Sequence, residues 1–249
     1  MEHLNCKNCG FGYTGHFCPQ CGQPAHEKRI DAQWLLHDVP HSVFHIDKGF
    51  FYTVSSLFTN PGQMVENYLQ GKRVKYFRPF AYVVLMSTIC ALITKGLQAL
   101  TQNIYLRKNV VAVAARHESF LSHYFSVFIF IMIPLASLIT WLAFVKRKYN
   151  YWEHFLINTY IAAQLNLLLV LVSFIAFITA LFSDAPPEAN FSVVTTVFMT
   201  GFLFLYGYTF GGLMHQKGKA LSLILILTAM NSLLFVVYYA GLVFAGIAP

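Results

Sequence analysis

Long apolar stretches alternate with short polar ones from residue 79 onwards. Each apolar stretch has roughly 20 residues or more, the length that a helix needs to cross the hydrocarbon core of a bilayer. Pro134 falls inside the second stretch, but a packed bundle tolerates proline. The pattern predicts an all-α integral membrane helix bundle over residues 79–249 with about five spans, at about 80–100, 123–145, 155–182, 191–213 and 220–246.

Shorter amphipathic segments occupy residues 28–78, where apolar positions recur at helical spacing. Asp31 can cap the first of these segments. Asn60 followed by Pro61 is typical of an N-cap and a first helical position, and Gly71 can end that helix. The segments are too short to span a bilayer, so we expect a juxtamembrane collar at the cytoplasmic surface. The collar lies either in the headgroup plane or beneath the bundle.

The composition supports a membrane protein. Of all residues, 57% are hydrophobic and only 11% are charged, whereas globular domains carry about 25% charged residues. The formal net charge is +7, but the basic residues flank the apolar stretches, so we expect no nucleic acid partner. We expect contacts with membrane lipid headgroups instead, made by Lys72, Arg73, Lys75 and Arg78.

The distribution of charge predicts the orientation in the membrane. Basic clusters lie at 72–78, 146–148 and 217–219. With five spans, all three clusters fall on the same side of the membrane. The acidic loop 183–190 falls on the other side, and only the basic residues of 107–116 oppose this arrangement. The positive-inside rule then places the N-terminus in the cytoplasm and the C-terminus in the periplasm. The first 22 residues are polar, so we expect no secretory signal.

Two CxxC pairs lie within residues 1–27, formed by Cys6, Cys9, Cys18 and Cys21. Such pairs bring four thiolates within tetrahedral reach of one ion, as in a closed structural zinc site, and predict a small zinc ribbon. A segment this small has no sufficient core of its own, so Zn²⁺ would supply folding energy. Redox pairs or disulfides are the alternative, but cytoplasmic thiols stay reduced. The fifth cysteine, Cys90, lies in the first span as a packing residue.

Three histidines recur every four residues and therefore share one helix face: His37, His41 and His45. Histidines at this spacing can bind a second metal ion or haem. We favour a row of interfacial histidines opposite the apolar stripe, because the spacing alone identifies no further ligand.

The third span carries a row of polar residues, namely Glu153, His154, Asn158 and Asn166. Polar groups within a membrane are expensive and often functional, so the row could line a cavity or relay protons. The alternative, which we favour, is hydrogen bonding between helices. Gly207 and Gly211 form a small-xxx-small surface suited to close helix contact, including self-association.

Several short motifs follow one another along the chain: CxxC and CxxCGQ up to Gln23, Arg29-Ile30, DxGFFxT at 47–53, the PG…YxxGKR…Y…P run at 61–79, and Glu153-His154. This series resembles an uncharacterised multi-span membrane family of Bacteroidetes-type bacteria, designated only as a domain of unknown function. The resemblance covers residues 6–82 and Glu153-His154. It implies a zinc ribbon on a membrane domain in the bacterial inner membrane, and it implies no activity. The three histidines at 37–45 are not part of the pattern.

Three functions fit these features, and we rank them in order. The first is a non-enzymatic scaffold whose cytoplasmic zinc ribbon binds a protein partner. The second is a small-solute or ion transporter or channel lined by the polar row of the third span. The third is a membrane-embedded enzyme acting at headgroup level near His154. The third ranks last because Glu153 and His154 are adjacent and so point to different faces of a helix.

Overall fold

The computed structural model describes residues 3–26, 29–35, 49–108, 125–144 and 149–182, with residues 201, 205, 207–209 and 213. Two short strands and five helices are assigned within these ranges: β1 (Leu4–Asn5), β2 (Gly12–Tyr13), α1 (Phe50–Thr59), α2 (Pro61–Leu69), α3 (Pro79–Arg107), α4 (Phe125–Ala143) and α5 (Tyr151–Phe182). Residues 32–35 are also helical. The predicted fifth span lies outside the described residues, and the predicted fourth span is described only at its helical residues between 201 and 213.

Local sequence signals set both ends of α2. The side chain of Asn60 accepts a hydrogen bond from the backbone N–H of Gln63 at 3.3 Å, and Pro61 is the first residue of α2. Both features were predicted and are confirmed. Gly71 ends this helical segment with a φ of 98°, a left-handed conformation that favours glycine.

Two of the helices, α3 and α5, are long and apolar enough to cross a membrane by length and composition. They have 29 and 32 residues, which at about 1.5 Å per residue exceeds the roughly 30 Å hydrocarbon core. α3 continues to Arg107, past the predicted first span, and α5 begins at Tyr151, before the predicted third span. The predicted second span coincides with α4, a 19-residue helix that contains Pro134.

α3 and α5 run in the same direction. Hydrogen bonds join them at successive levels: Tyr160 with Phe77 (2.7 Å), Gln164 with Tyr82 (3.0 Å), Asn166 with Ser87 (3.0 Å) and Lys108 with Leu181 (3.4 Å). Residue numbers rise together along both helices, so both begin at the same end of the bundle. α4 runs the opposite way, because Phe144 beyond its C-terminus stacks on His154 near the start of α5.

An aromatic cluster fills the end of the bundle where α1 and α2 meet the long helices. Tyr68, Phe77, Tyr82 and Tyr160 are almost completely buried. The ring of Tyr160 lies 5.9 Å from that of Tyr68 and 5.8 Å from that of Tyr82. Phe50 of α1 meets Phe77 edge to face at 5.6 Å. Such pairs add to the burial of apolar area, so the cluster joins the short helices firmly to the long ones.

α1 is held against the loop between α2 and α3 by two close contacts. A Cβ added to Gly49 would lie 2.7 Å from the carbonyl oxygen of Lys75, so only glycine fits there. The hydroxyl of Thr53, which is fully buried, accepts a hydrogen bond from the backbone N–H of Phe77 at 2.7 Å. These contacts fix α1 across the start of α3.

Candidate metal centre and its junction with the long helices

The four N-terminal cysteines converge on one point. Their sulfur atoms all lie within 4.8 Å of one another, and two of the separations are 3.5 Å between Cys6 and Cys21 and 3.6 Å between Cys9 and Cys18. Tetrahedral thiolates at about 2.3 Å from a metal ion stand about 3.8 Å apart. The sulfur positions therefore fit one metal ion, with all four ligand positions supplied by the chain. We call residues 3–26 the four-cysteine unit.

The four-cysteine unit consists of two halves with the same local fold. In the first half, the N–H of Cys6 donates to the carbonyl of Phe11 at 3.0 Å; in the second, Cys18 donates to Gln23 at 2.8 Å. Each CxxC turn ends in a glycine with positive φ, 77° in the first half and 75° in the second. A strand pairing in the first half, between residues 5 and 12, corresponds to an isolated bridge between residues 17 and 24. The duplication explains why the sulfurs face one another in pairs.

The electrostatics of the sulfurs also suit a shared cation. Burial raises the pKa of Cys6, but backbone N–H groups of Cys9 and Asn8 and the thiol of Cys21 outweigh it, and the pKa falls to about 7. The N–H of Phe11 lowers the pKa of Cys9, but desolvation and the three neighbouring sulfurs raise it to about 12. The thiol of Cys9 therefore stays protonated at neutral pH unless a positive charge compensates it, as a bound metal ion would.

The second half of the four-cysteine unit docks on the collar. The side-chain amide of Gln23, only 1% exposed, donates to the carbonyl of Gly71 at 2.5 Å. The same residue accepts the N–H of Cys18 through its backbone. Gln23 therefore belongs both to the cysteine turn and to the docking contact. The equivalent residue of the first half, Phe11, is 45% exposed.

A second anchor lies just after the four-cysteine unit. Arg29 donates two hydrogen bonds to the carboxylate of Glu153, each 2.8 Å long. Glu153 also accepts the backbone N–H of Asn150 at 2.6 Å, while the Asn150 side chain accepts the N–H of Glu153 at 2.8 Å. This reciprocal pair is a capping box at the start of α5. The bidentate contact raises the pKa of Arg29, and a carboxylate at a helix start is also favoured by the helix dipole.

The segment that follows Arg29 packs against the start of α5 and the loop after α2. Ile30 is 1% exposed, and its carbonyl accepts a hydrogen bond from the side chain of Asn150 at 2.9 Å. Asp31 caps the following helical turn, as predicted, by accepting the N–H of Trp34 at 2.7 Å. The guanidinium of Arg73 lies 4.8 Å from the centre of the Trp34 ring, a cation–π contact.

The four basic residues expected at lipid headgroups do not form one set. The guanidinium of Arg73 lies near two rings, 4.8 Å from the centre of Trp34 and 5.5 Å from that of Tyr68, and its Nε donates to the Tyr68 carbonyl. The half-buried Arg73 therefore contacts the collar itself, and its predicted contact with lipid headgroups stays a prediction. Lys72 and Lys75 are exposed, and Arg78 is half-buried at the first turn of α3.

The polar row of the third span is buried and joins helices. Among the described residues, Glu153, His154, Asn158, Gln164 and Asn166 are each at most 5% exposed. The amide of Asn158 donates to Thr140 of α4 at 3.0 Å, and that of Asn166 donates to Ser87 of α3 at 3.0 Å. His154 contacts the same Thr140 hydroxyl at 3.2 Å. This arrangement matches the interhelical hydrogen bonding that the sequence favours.

Close helix contact at glycine is seen at Gly201, where an added Cβ would lie 2.6 Å from the side chain of Leu168. Gly207 is helical, whereas Gly211 lies outside the described residues. His37, His41 and His45 also lie outside the described residues, so the second-metal hypothesis stays a prediction.

Sequence reasoning missed the anchors of the four-cysteine unit. Gln23, Arg29 and Asn150 received no role, although Gln23 and Arg29 belong to the motif series that carries the resemblance. The signal was present in that series: its residues from the cysteine turns, the collar and Glu153 meet at this one junction. Separate motifs that share no local element are best explained by a common contact.

Comparison with known proteins reaches the same segment. No curated protein matches the chain, and no solved structure matches it. Residues 47–90 match a family model described as "Protein of unknown function (DUF3667)". The matched segment contains α1, α2, the loop after α2 and the first turns of α3. It includes the part of the collar on which the four-cysteine unit docks, at Gly71. Over these residues the chain is similar to a family whose function is not known, and the cluster of four cysteines beside it is consistent with that similarity.

Proposed function

We propose that this protein is a non-enzymatic scaffold of the bacterial inner membrane, in which a cytoplasmic four-cysteine unit holds one structural Zn²⁺ and binds a protein partner. The observation that carries the proposal is the asymmetry of this unit. Its second half is fixed on the collar through Gln23, whereas the equivalent Phe11 of the first half is 45% exposed. The unit is therefore held in one orientation with one half displayed.

Zinc is the metal that the donor set favours. Four thiolates with no open position are typical of structural zinc sites, and this metal brings no redox chemistry. The four-cysteine unit buries only Cys6, Tyr13 and Cys18 as its own apolar core, so the metal would supply much of its folding energy. When bound, Zn²⁺ would fix the two cysteine turns, and the chain's own Gln23 and Arg29 would orient the unit.

The parallel course of α3 and α5 supports the predicted topology. Both helices begin at the end of the bundle where the four-cysteine unit docks, and exposed lysines lie at this end, at Lys72 and Lys75. The positive-inside rule places such an end in the cytoplasm. Cytoplasmic thiols stay reduced and can bind metal. The polar row gives less support to transport, because its amides donate to neighbouring helices rather than to an open path.

Site-specific photo-crosslinking tests the scaffold function. A benzophenone amino acid replaces Phe11 in the full-length protein in its native membrane, and a matched probe replaces Phe58, which is 57% exposed on α1. We expect one discrete protein adduct from position 11, lost when Cys18→Ser removes a metal ligand. The Phe58 position should not give that adduct. If position 11 yields no protein adduct, or the same adduct with Cys18→Ser, the partner-binding function is wrong.

A further inference from the structure

The outer face of α1 carries aromatic side chains that the bundle leaves uncovered. Phe51 is 82% exposed and Phe58 is 57% exposed. They are two helical turns apart, so they lie on one line along the helix. Thr53 and Leu57, on the opposite side, are buried at 0% and 4%. The apolar surface of α1 is therefore wider than its contact with the bundle.

This face is held rigidly beside the start of α3. The hydroxyl of Thr53 binds the N–H of Phe77, two residues before α3 begins. At the other end of α1, the hydroxyl of Tyr208 donates to the carbonyl of Thr59. α1 is thus tied to the segment just before the predicted first span and to a residue of the predicted fourth span. The exposed aromatic line cannot turn inwards without breaking these contacts.

The residues around Phe51 and Phe58 indicate which kind of molecule covers these two rings. α1 has no charged residue in its sequence. Exposed Lys75 lies beside its start, since the carbonyl of this lysine approaches Gly49. α3 also exposes apolar side chains in its first half, at Val84, Ile89 and Leu92, which are 38%, 40% and 68% exposed. An aromatic edge between a cationic loop and an apolar helix surface is typical of the boundary between headgroups and acyl chains.

From this geometry we infer that Phe51 and Phe58 form an in-plane lipid contact, with Lys75 binding the phosphate of an anionic phospholipid in the same leaflet. The inference rests on the proposed insertion of α3 and α5 in a bilayer. It resolves the two positions open to the collar: α1 lies in the headgroup plane rather than beneath the bundle. A second copy of the chain is the competing occupant, and the test separates the two.

The test uses the purified full-length protein in nanodiscs that contain equal amounts of phosphatidylglycerol and phosphatidylcholine. A benzophenone amino acid replaces Phe51 or Phe58. Phe17 of the four-cysteine unit, an aromatic residue that is 64% exposed, serves as the matched control. A probe at Leu92 reports insertion of α3 independently. We expect lipid adducts from positions 51, 58 and 92 by mass spectrometry, with a several-fold lower yield from position 17.

The lysine is tested by the composition of the adducts. Lys75→Gln should reduce the preference for phosphatidylglycerol at position 51 about fivefold, the effect of one basic residue at an anionic surface. Lys7→Gln, on the four-cysteine unit, is the control and should leave the preference unchanged. Adducts at 92 without adducts at 51 and 58 would overturn the inference, as would covalent dimers from 51 and 58. Absence of lipid adducts at 92 as well would instead overturn the proposed membrane insertion.

Discussion

The contact between Arg29 and Glu153 yields a prediction whose size follows from the structure. Two hydrogen bonds of 2.8 Å join the side chains, and Glu153 is 5% exposed whereas Arg29 is 62% exposed. Because solvent screens the arginine, we assign the ion pair about 1 kcal/mol rather than the value of a buried pair. The capping box with Asn150 adds about 1 kcal/mol. Arg29→Ala removes the first contribution, and Glu153→Ala removes both.

The expected effects are local, so hydrogen exchange at the start of α5 and at residues 23–35 is the assay. With about 1.4 kcal/mol per factor of ten, Arg29→Ala should raise exchange about fivefold at both segments. Glu153→Ala should raise it about fivefold at residues 23–35 and about thirtyfold at the start of α5, where the capping box is also lost. The double variant should equal Glu153→Ala, which gives a coupling free energy of about 1 kcal/mol. Gln33→Ala, an exposed position in the same segment, is the control and should leave exchange unchanged.

Additive effects of the two substitutions would refute the reasoning, since they would mean that the side chains contribute independently. A change confined to α5 would also refute it. In that case Glu153 would serve only as a helix cap, and the four-cysteine unit would be held by Gln23 and Ile30 alone.

Three further substitutions test the metal centre and the collar. Cys18→Ser should abolish stoichiometric zinc in the purified protein, measured by elemental analysis. Cys90→Ser should retain the zinc, because this thiol lies in α3 away from the cluster. Equal metal content in the two variants would disprove the site. Gly49→Ala should lower thermal stability, because the new Cβ would lie 2.7 Å from a backbone carbonyl oxygen. Gly96→Ala, where an added Cβ meets nothing within 4 Å, should be neutral or stabilising by up to about 1 kcal/mol. Similar shifts in melting temperature for the two variants would contradict the close contact. Thr53→Val should destabilise by about 1–3 kcal/mol in denaturant titration, because it leaves a buried N–H without an acceptor, and Thr53→Ser should preserve most of the stability; a Thr53→Val variant as stable as wild type would contradict the hydrogen bond.

Features that depend on neighbours in sequence could be predicted. The cysteine spacing predicted the convergence of sulfurs, and Asn60, Pro61 and Gly71 predicted the bounds of α2. Helix length and hydropathy predicted α3, α4 and α5, though the bounds shifted by several residues because polar caps such as Asn150 extend a helix beyond its apolar part. These signals are local, so one sequence suffices to read them.

Contacts between distant segments could not be predicted. Arg29 and Glu153 are 124 residues apart, and nothing in the charge pattern distinguishes this arginine from others near the collar. The ring contacts of Arg73 were missed for the same reason: its neighbours in sequence are basic, whereas its neighbours in space include the rings of Trp34 and Tyr68. A cluster of like charges in sequence does not establish that every member faces the same partner.

The asymmetry of the four-cysteine unit bears on whether the unit binds a partner, as proposed, or only covers the end of the bundle. A cap would gain most by burying both halves, since each half offers an equivalent residue at positions 11 and 23. Of the residues at positions 11 and 23, only Gln23 is buried. Its side-chain amide can be buried because it donates a hydrogen bond to the carbonyl of Gly71. Phe11 at the equivalent place would be favoured by burial, yet it is 45% exposed, as is the nearby Phe17 at 64%. Under the proposed scaffold function, a partner that covers these rings would recover roughly 25 cal/mol for each Å² of apolar surface buried.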